Sequence, residues 1–481
     1  MLLKAKYVIP VTSAYIEDGA VLVHDDAIEA VGSAAELEAA HPNEPIRDMG
    51  QAAILPGFID VHTQIGYTAF RGLFDDVPYA EWRRRVLWRD PLLSFNDWVV
   101  SARLGALEAV ASGITTIADV TARGGALVAA DEIGMRARVY HQVMTTQASH
   151  AERIVQTGAE TIAAWREQHP SSRLSFGIAP GPTYACHPQL FAEIARYATE
   201  TNTPVALQLA ASNEEEQFVR SGSSPFAIHA SESENHVVSH ALPPWLPTGV
   251  SPTKYVAQWG ILDAPEVLAI HCVHVDEDDI ELLRSKGVAI AHCPRSNAKL
   301  SMGSAPLLAF LESGLTVGIG TDSPAGVDTI DMIDEAKTGL LIARALAPNG
   351  QRTRLESRDM LRLMTIDAAR ALHMDDCIGS LEPGKKADII AIDLHNSHQN
   401  PTTDPESAVI YTANQDNVKL TMVDGRILFD EFTHVSGVDR DRIVEEAGAL
   451  RLRLNEDADD EQLREKLMER FDVDRQDSYN R

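Results

Sequence analysis

Four cysteines in 481 residues, Cys186, Cys272, Cys293 and Cys377, are too few and too scattered for a disulfide framework, and no CxxC pair supplies thiolates for a zinc site. A reducing, cytoplasmic setting is expected. No apolar run reaches the ~18 residues of a bilayer-spanning helix. The opening MLLKAKYVIPVTSAYIEDG lacks the charged-then-apolar build of a secretory leader. The expectation is a soluble chain with no membrane partner. Lysine is scarce too, ten residues against thirty-two arginines, while 70 acidic residues bring the formal net charge to −28. A surface of that sign repels phosphate backbones, which excludes nucleic acid and leaves a small molecule as the expected partner. Little lysine with much acid suits high salt that screens self-repulsion, so a halophilic source is expected; GC-biased coding is the rival reading.

What is present is a globular composition, 44% hydrophobic and 23% charged. From Ile54 onward short β-rich runs alternate with helical stretches. The runs are Ile54 to His62, Thr115 to Val120, Ala137 to Val143, Leu174 to Ala179, Val205 to Leu209, Val267 to Val273, Val288 to His292 and Thr316 to Gly320. Eight such units predict an α/β fold, a closed (β/α)8 TIM barrel over 54–375, with helices such as Trp98 to Ala111 and Gln189 to Thr199 between strands. No glycine-rich phosphate fingerprint follows the first strand, which disfavours a doubly wound sheet. Lys4 to Val11, Ala20 to Val31, Ala387 to Asp393 and Lys419 to Leu428 alternate like antiparallel strands, so residues 1–53 and 376–436 are expected to form one small β-sandwich. Residues 437–481 read as a helical extension, through Arg442 to Arg453 and Asp460 to Phe471, solvated or used as an oligomer contact. The connection Gly222 to Pro252 carries His229, His236 and His240 and is expected as a lid; histidines in a polar loop are more often solvated than ligating.

Several motifs carry chemistry. They are Pro56-Gly57-Phe58-Ile59-Asp60-Val61-His62, Arg71-Gly72-Leu73 with Asp75-Asp76, His271-Cys272-Val273-His274, Cys293-Pro294-Arg295-Ser296-Asn297 and Gly320-Thr321-Asp322-Ser323, followed by Gly379 to Asp388. In this order they resemble the amidohydrolase superfamily, in particular its chlorohydrolase and aminohydrolase branch of adenosine-, S-adenosylhomocysteine- and aminodeoxyfutalosine-type deaminases. The resemblance implies a barrel-mouth metal, commonly zinc or iron, held by His-x-His after strand one, a His after strand five and an Asp after strand eight. It also implies a Glu three residues past the strand-five His that shuttles the proton, and a His after strand six. Such donors suit a Lewis acid that lowers the pKa of bound water, with one coordination position left open.

The sequence departs from that plan. Gln64 stands where the second His belongs, Gln208 where the strand-five His belongs, Ala211 where the Glu belongs, and Gly181 where a substrate-contacting His is usual. His62, His271 and Asp322 survive. An amide is a weak donor to zinc, so a metal site with His62, Gln64, Gln208 and Asp322 all as ligands is not expected. Three readings of the survivors stand: a 2-His-1-carboxylate site for one divalent ion, zinc or iron; no metal, with His271 and Asp322 as catalytic acid and base; or hydrogen-bonded structural residues. Arg71, Trp82 and Asn297 are expected to bind substrate. Glu214, Glu215 and Glu216 are set aside as acids opening a helix. The favoured function is a hydrolase acting on a C–N or similar bond of a small heterocycle or nucleoside, in a homo-oligomer, a dimer. The alternative is a catalytically inactive barrel kept for binding or assembly.

Overall fold

In the computed structural model, residues 1–226, 247–347, 355–435 and 437–456 are described. His229, His236, His240 and the stretch Asp460 to Phe471 lie outside them.

Both chain ends build one sheet. Strands β1 (Leu2–Val8), β2 (Ile16–His24), β3 (Ala27–Ser33), β4 (Ile46–Asp48) and β5 (Ala52–Pro56) come from the front of the chain. Eight parallel strands follow in chain order: β6 (Phe58–Thr63), β7 (Ile114–Thr121), β8 (Arg136–Val143), β9 (Leu174–Pro180), β10 (Val205–Leu209), β11 (Val267–His271), β12 (Ala289–His292) and β13 (Val317–Ile319). Then β14 (Ile389–Asp393), β15 (Val418–Val423), β16 (Arg426–Asp430) and β17 (Thr433–His434) join the first sheet in the order β17-β16-β15-β14-β5-β1-β2-β3, with β4 beside β1. That sheet folds back on itself, since Ala27 bridges Lys386 and Gly384 N–H donates to Ile28 O at 2.8 Å. Leu3, Val21, Ile28, Ile54, Ile389 and Leu420 fill one apolar core, and Leu2, Ala20 and Leu22 form a second, smaller cluster.

The expected first barrel strand, Ile54 to His62, is two strands in two sheets. The cut falls at Gly57, where a Cβ would lie 2.2 Å from Thr115 Cγ2, so only glycine lets the chain cross at this point. The expected boundary after residue 53 therefore falls inside β5, which pairs with β14 as far as Pro56.

Barrel closure is built by the segment after β13. Asp322 N–H donates to His62 O at 2.8 Å, Thr63 and Asp322 bridge, and the Asp60 carboxylate accepts Thr321 N–H at 3.0 Å as well as the Thr321 hydroxyl. Gly320 passes so close that a Cβ would stand 2.9 Å from His62 N and O. At the opposite end of the barrel Arg136 opens β8 and bonds Asp388 at 2.9 Å and Asp424, fastening the end-sheet to the barrel floor.

Helix limits shift for local reasons. The helix Phe95–Ala111 begins three residues before the expected Trp98, because Ser94 and Asp97 form a reciprocal capping box. The helix Pro188–Thr201 is started by His187, whose ring nitrogen accepts Gln189 N–H at 3.1 Å, and stopped by Asn202 in the left-handed region at φ 51°. The terminal helix Arg440–Glu456 is not a solvated tail. Its buried residues Ile443, Ala447, Leu450 and Leu454 recur every three to four positions, and Leu450 and Leu454 share an apolar cluster with Phe70 and Trp98 beside the barrel mouth.

Candidate active site at the barrel mouth

Three expected residues converge where the strands end. His62 lies at the end of β6, His271 ends β11, and Asp322 follows β13; all three are buried. One ligand-capable atom of each lies within 4.8 Å of the others. His62 Nε2 is 3.3 Å from Asp322 Oδ1, and the two imidazole rings meet edge to face with centroids 6.0 Å apart. Neither nitrogen of His62 makes an aligned hydrogen bond. His271 Nδ1 meets Asn297 Oδ1 at 3.0 Å, and a donating Nδ1–H leaves Nε2 with its lone pair. Asp322 Oδ2 accepts the Ser296 hydroxyl, which leaves Oδ1 facing His62. His62 thus keeps its ring nitrogens without an aligned hydrogen bond, and Asp322 keeps Oδ1 turned toward them.

Burial alone would raise the Asp322 carboxyl, but His62, the positive field of His271 and the Ser296 hydroxyl outweigh it and hold it well below the usual carboxylate range. Burial, opposed by Asp322, lowers His271. The backbone is strained at the same place. Ala210 (φ 48°), His271 (φ 73°), Cys272 (φ 46°) and Asp322 (φ 65°) are non-glycine residues in the left-handed region. Strain of this kind gathers where a fold holds side chains for a task.

The residues at the other family positions are amides, alanine and glycine. Gln64 Nε2 donates to Val120 O at 3.4 Å. Gln208 lies on β10, where Val205, Leu207 and Leu209 face the helices, so it shares the inner face with Ala206. A Cβ at Gly181 would meet Met144 at 2.4 Å. Arg71, expected on substrate, is paired with Glu108, whose other oxygen accepts Ile330 N–H at 3.0 Å. Trp82 is a wall of the mouth: its indole N–H donates to Ala325 O at 3.0 Å, and it packs with Tyr79, Phe70 and Ala211. Asn297 acts on His271.

Glu215 was passed over in the sequence. It is buried, with Oε2 accepting Ala211 N–H at 2.8 Å and Oε1 accepting the Thr183 hydroxyl at 2.6 Å. Burial, resisted by these bonds, pushes its carboxyl up to about 7. The signal was Ser212-x-x-Glu215. In this capping pattern the glutamate folds back over the helix start, and the helix Asn213–Ser221 indeed has Ser212 as its cap. The carboxylate therefore returns to Ala211 instead of following the helix outward, as Glu216 does in pairing with Arg220.

The donors present fit three-point coordination of one divalent ion better than the four-point set of the resemblance. Two imidazole nitrogens and one carboxylate oxygen within 4.8 Å of one another match the pattern of three protein ligands with an open position.

A closed parallel barrel with imidazole and carboxylate donors gathered at the C-terminal strand ends, under an apolar mouth, defines a barrel of the hydrolase type. The particular family follows from the sequence: the amidohydrolase family pattern matches residues 53–428, and the chain belongs to that family. A bacterial imidazolonepropionase-like composite domain also matches residues 19–43. The chain is 30% identical over 433 residues to the 5-methylthioadenosine/S-adenosylhomocysteine deaminase of Moorella thermoacetica, covering 89% of this chain and 94% of that protein. It is 28% identical over 440 residues to the 5'-deoxyadenosine deaminase of Methanosarcina mazei, covering 90% and 92%. The adenosine deaminase of Xanthomonas campestris, solved with bound zinc, shares the fold with a TM-score of 0.81 at 24% identity over 94% of this chain and 98% of that one. Among the described residues no helix is long and apolar enough to cross a membrane.

Proposed function

We propose that this chain hydrolyses an exocyclic C–N bond of a nucleoside-sized heterocycle, as its adenosine-type relatives are named for doing, at the mouth bounded by His62, His271 and Asp322. The observation that carries the reading is the convergence of these three residues, with ligand-capable atoms within 4.8 Å of one another. His62, His271 and Asp322 would hold the divalent ion, zinc or iron, which when bound supplies a Lewis acid that makes water nucleophilic near neutral pH. The chain's own groups do the rest. Asn297 fixes the His271 tautomer, and Ser296 fixes the Asp322 carboxylate. Hydrolysis exchanges the amino nitrogen for a water oxygen, so a proton must travel from the water to the leaving nitrogen. Glu215, poised at about 7, can accept that proton and return it near neutral pH. The apolar wall of Phe70, Tyr79 and Trp82 suits a flat ring and excludes bulk water. The free thiols of Cys186, Cys272, Cys293 and Cys377 support a reducing cytoplasmic setting.

The test is ammonia release from adenosine and its 5'-modified analogues, with the protein assayed as purified and after loading with zinc or iron. Asp322→Asn and His271→Ala should each lower turnover by ~10²–10⁴-fold without unfolding the chain. Equal turnover by both variants would overturn the assigned roles. Tight binding of every analogue with no conversion under any metal condition would overturn the reaction.

A further inference from the structure

The helix Pro294–Lys299 has only six residues, and two of them act on the candidate site: Ser296 donates to Asp322, and Asn297 meets His271. A helix this short is held by its surroundings and not by its own hydrogen bonds. Arg295, the residue ahead of the pair, supplies the hold. Its backbone N–H donates at 3.1 Å to Glu335, which is buried on the helix Met332–Leu346. Its guanidinium crosses to the segment that leaves Asp322. One terminal nitrogen donates to Thr329 O at 3.1 Å, and the other donates to Val327 O at 2.9 Å and to the Thr329 hydroxyl at 2.8 Å. Nε pairs with Asp334 at 3.1 Å. Arg295 thus joins three pieces of chain: the carrier of Ser296 and Asn297, the run-out from Asp322, and the helix beyond it. This is not a surface bridge, because only 15% of the Arg295 side chain is exposed and three of these guanidinium bonds end on one segment. The left-handed backbone at His271 (φ 73°) and Asp322 (φ 65°) persists only where the surrounding structure over-determines it, and this network does so.

We propose that Arg295 is a positioning residue of the site, with Glu335 fixing its backbone, and that it aims His271 and Asp322 through Asn297 and Ser296. The inference rests on the reading of His62, His271 and Asp322 as holders of one divalent ion. Arg295 does not touch the site, so what it delivers there is placement and not charge. Metal–ligand distances tolerate only about 0.2 Å, and a carrier helix that drifts further misaims both donors at once. The fork matters more than the charge, since a lysine ammonium cannot serve Val327 O, both oxygens of Thr329 and Asp334 from one fixed plane. Glu335 has the simpler duty. Burial pushes its carboxyl up, opposed by Arg295, and the bond to Arg295 N–H needs an acceptor oxygen, which glutamine also has.

The experiment measures zinc affinity by competition with a chelator, and the visible absorption of the cobalt-loaded chain, alongside ammonia release. Arg295→Met should weaken zinc binding by ~10–100-fold and alter the cobalt bands. Arg295→Lys should lose nearly as much. Glu335→Gln should bind zinc as the wild type does, whereas Glu335→Leu should resemble Arg295→Met. Thr329→Val removes one acceptor and keeps the shape, so it should weaken zinc binding by less than Arg295→Met and carries the test if that variant does not fold. Because Arg295 acts through Asn297, adding Asn297→Ala to Arg295→Met should cost less than adding it to the wild type. Arg136→Met breaks a buried pair at the barrel floor and controls for lost stability; it should lower the melting temperature and leave zinc affinity and the cobalt bands unchanged. Unchanged zinc affinity in Arg295→Met and Thr329→Val, full additivity with Asn297→Ala, or an equal loss of zinc in Arg136→Met overturns the positioning role. Weakened zinc binding in the Arg295 variants without ammonia release by the wild type leaves that role standing and sinks the reaction. Ammonia release by a zinc-loaded wild type whose Arg295 variants bind zinc equally well does the reverse. A wild type that takes up neither zinc nor cobalt sinks both.

Discussion

At the floor of the barrel, Arg136 is buried between Asp388 and Asp424, and the backbone N–H of Asp424 also donates to Asp388 at 2.9 Å. At the mouth, His62 has no aligned hydrogen bond, and Glu215 holds its carboxyl against neutral donors. Both ends bury charge at a desolvation cost of several kcal/mol per ion. The floor recovers it through ion pairs within the chain. Matched charge at the strand starts fastens two sheets together, and unmatched charge at the strand ends leaves groups that a ligand, an ion or a proton must complete.

The largest effect expected from breaking this contrast is at the floor. Arg136→Met strands Asp388 as a buried anion, while half-buried Asp424 keeps Arg173 at 4.0 Å, and should cost about 3–5 kcal/mol in urea unfolding. Arg136→Met combined with Asp388→Leu should recover part of that loss, because it removes the stranded charge. A loss under ~1 kcal/mol for Arg136→Met would mean the floor pair is no more than a surface bridge.

At the mouth the corresponding change should act through pH. The folded Glu215 carboxyl sits at about 7 against 4.5 for the free group, so the folded chain binds more protons than the unfolded one between those values. Stability then falls as pH rises from about 4.5 to about 7, by at most about 3 kcal/mol. Glu215→Gln removes the titration, so its stability relative to wild type should improve as pH rises from 5 to about 7 and level off above that. Urea midpoints across that range measure it. Parallel curves for the two proteins would show that Glu215 is not held near neutrality.

The same contrast explains what the sequence could and could not disclose. Strand number, order and approximate limits were legible because burial imposes apolar runs of strand length, and the motif residues fall at the ends of those runs. The break at Gly57 was not, since Ala52 to Thr63 is apolar enough on both sides to read as one strand and only the approach of Thr115 divides it. Among the residues singled out in the sequence, His62, His271 and Asp322 stand at strand ends, and the structure brings them together. The pairing of Arg71 with Glu108 was not legible, because the two lie 37 residues apart and no local pattern links them. Glu215 was discounted by helix geometry alone, although the capping pattern from Ser212 turns its side chain back. The terminal helix was read as solvated because its charged residues outnumber the four that are buried, and the face they meet is formed by residues more than three hundred positions earlier.

The smallest expected effect separates surface from interior. With a net charge of −28, long-range repulsion opposes folding, while exposed pairs such as Arg103–Glu132 and Arg196–Glu193 act at contact distances of 2.7 and 2.8 Å. Raising KCl from 0.1 to 1 M shortens the screening length from ~10 to ~3 Å, which removes the repulsion and leaves contact pairs comparatively untouched. Each exposed pair contributes only ~0–1 kcal/mol in any case. The melting temperature should therefore rise, by about 1 to 3 °C for a stabilisation of ~1 kcal/mol in a chain of this length. Chloride is the proper salt, because sulfate strengthens apolar burial in any protein. The buried Arg136 pair is shielded from ions, so Arg136→Met should shift by the same amount as wild type. A flat or falling melting curve would remove the salt-adaptation reading of the scarce lysines and leave coding bias to explain them, whereas a larger shift in Arg136→Met than in wild type would place the floor pair within reach of solvent ions and dissolve the distinction between the two ends of the barrel.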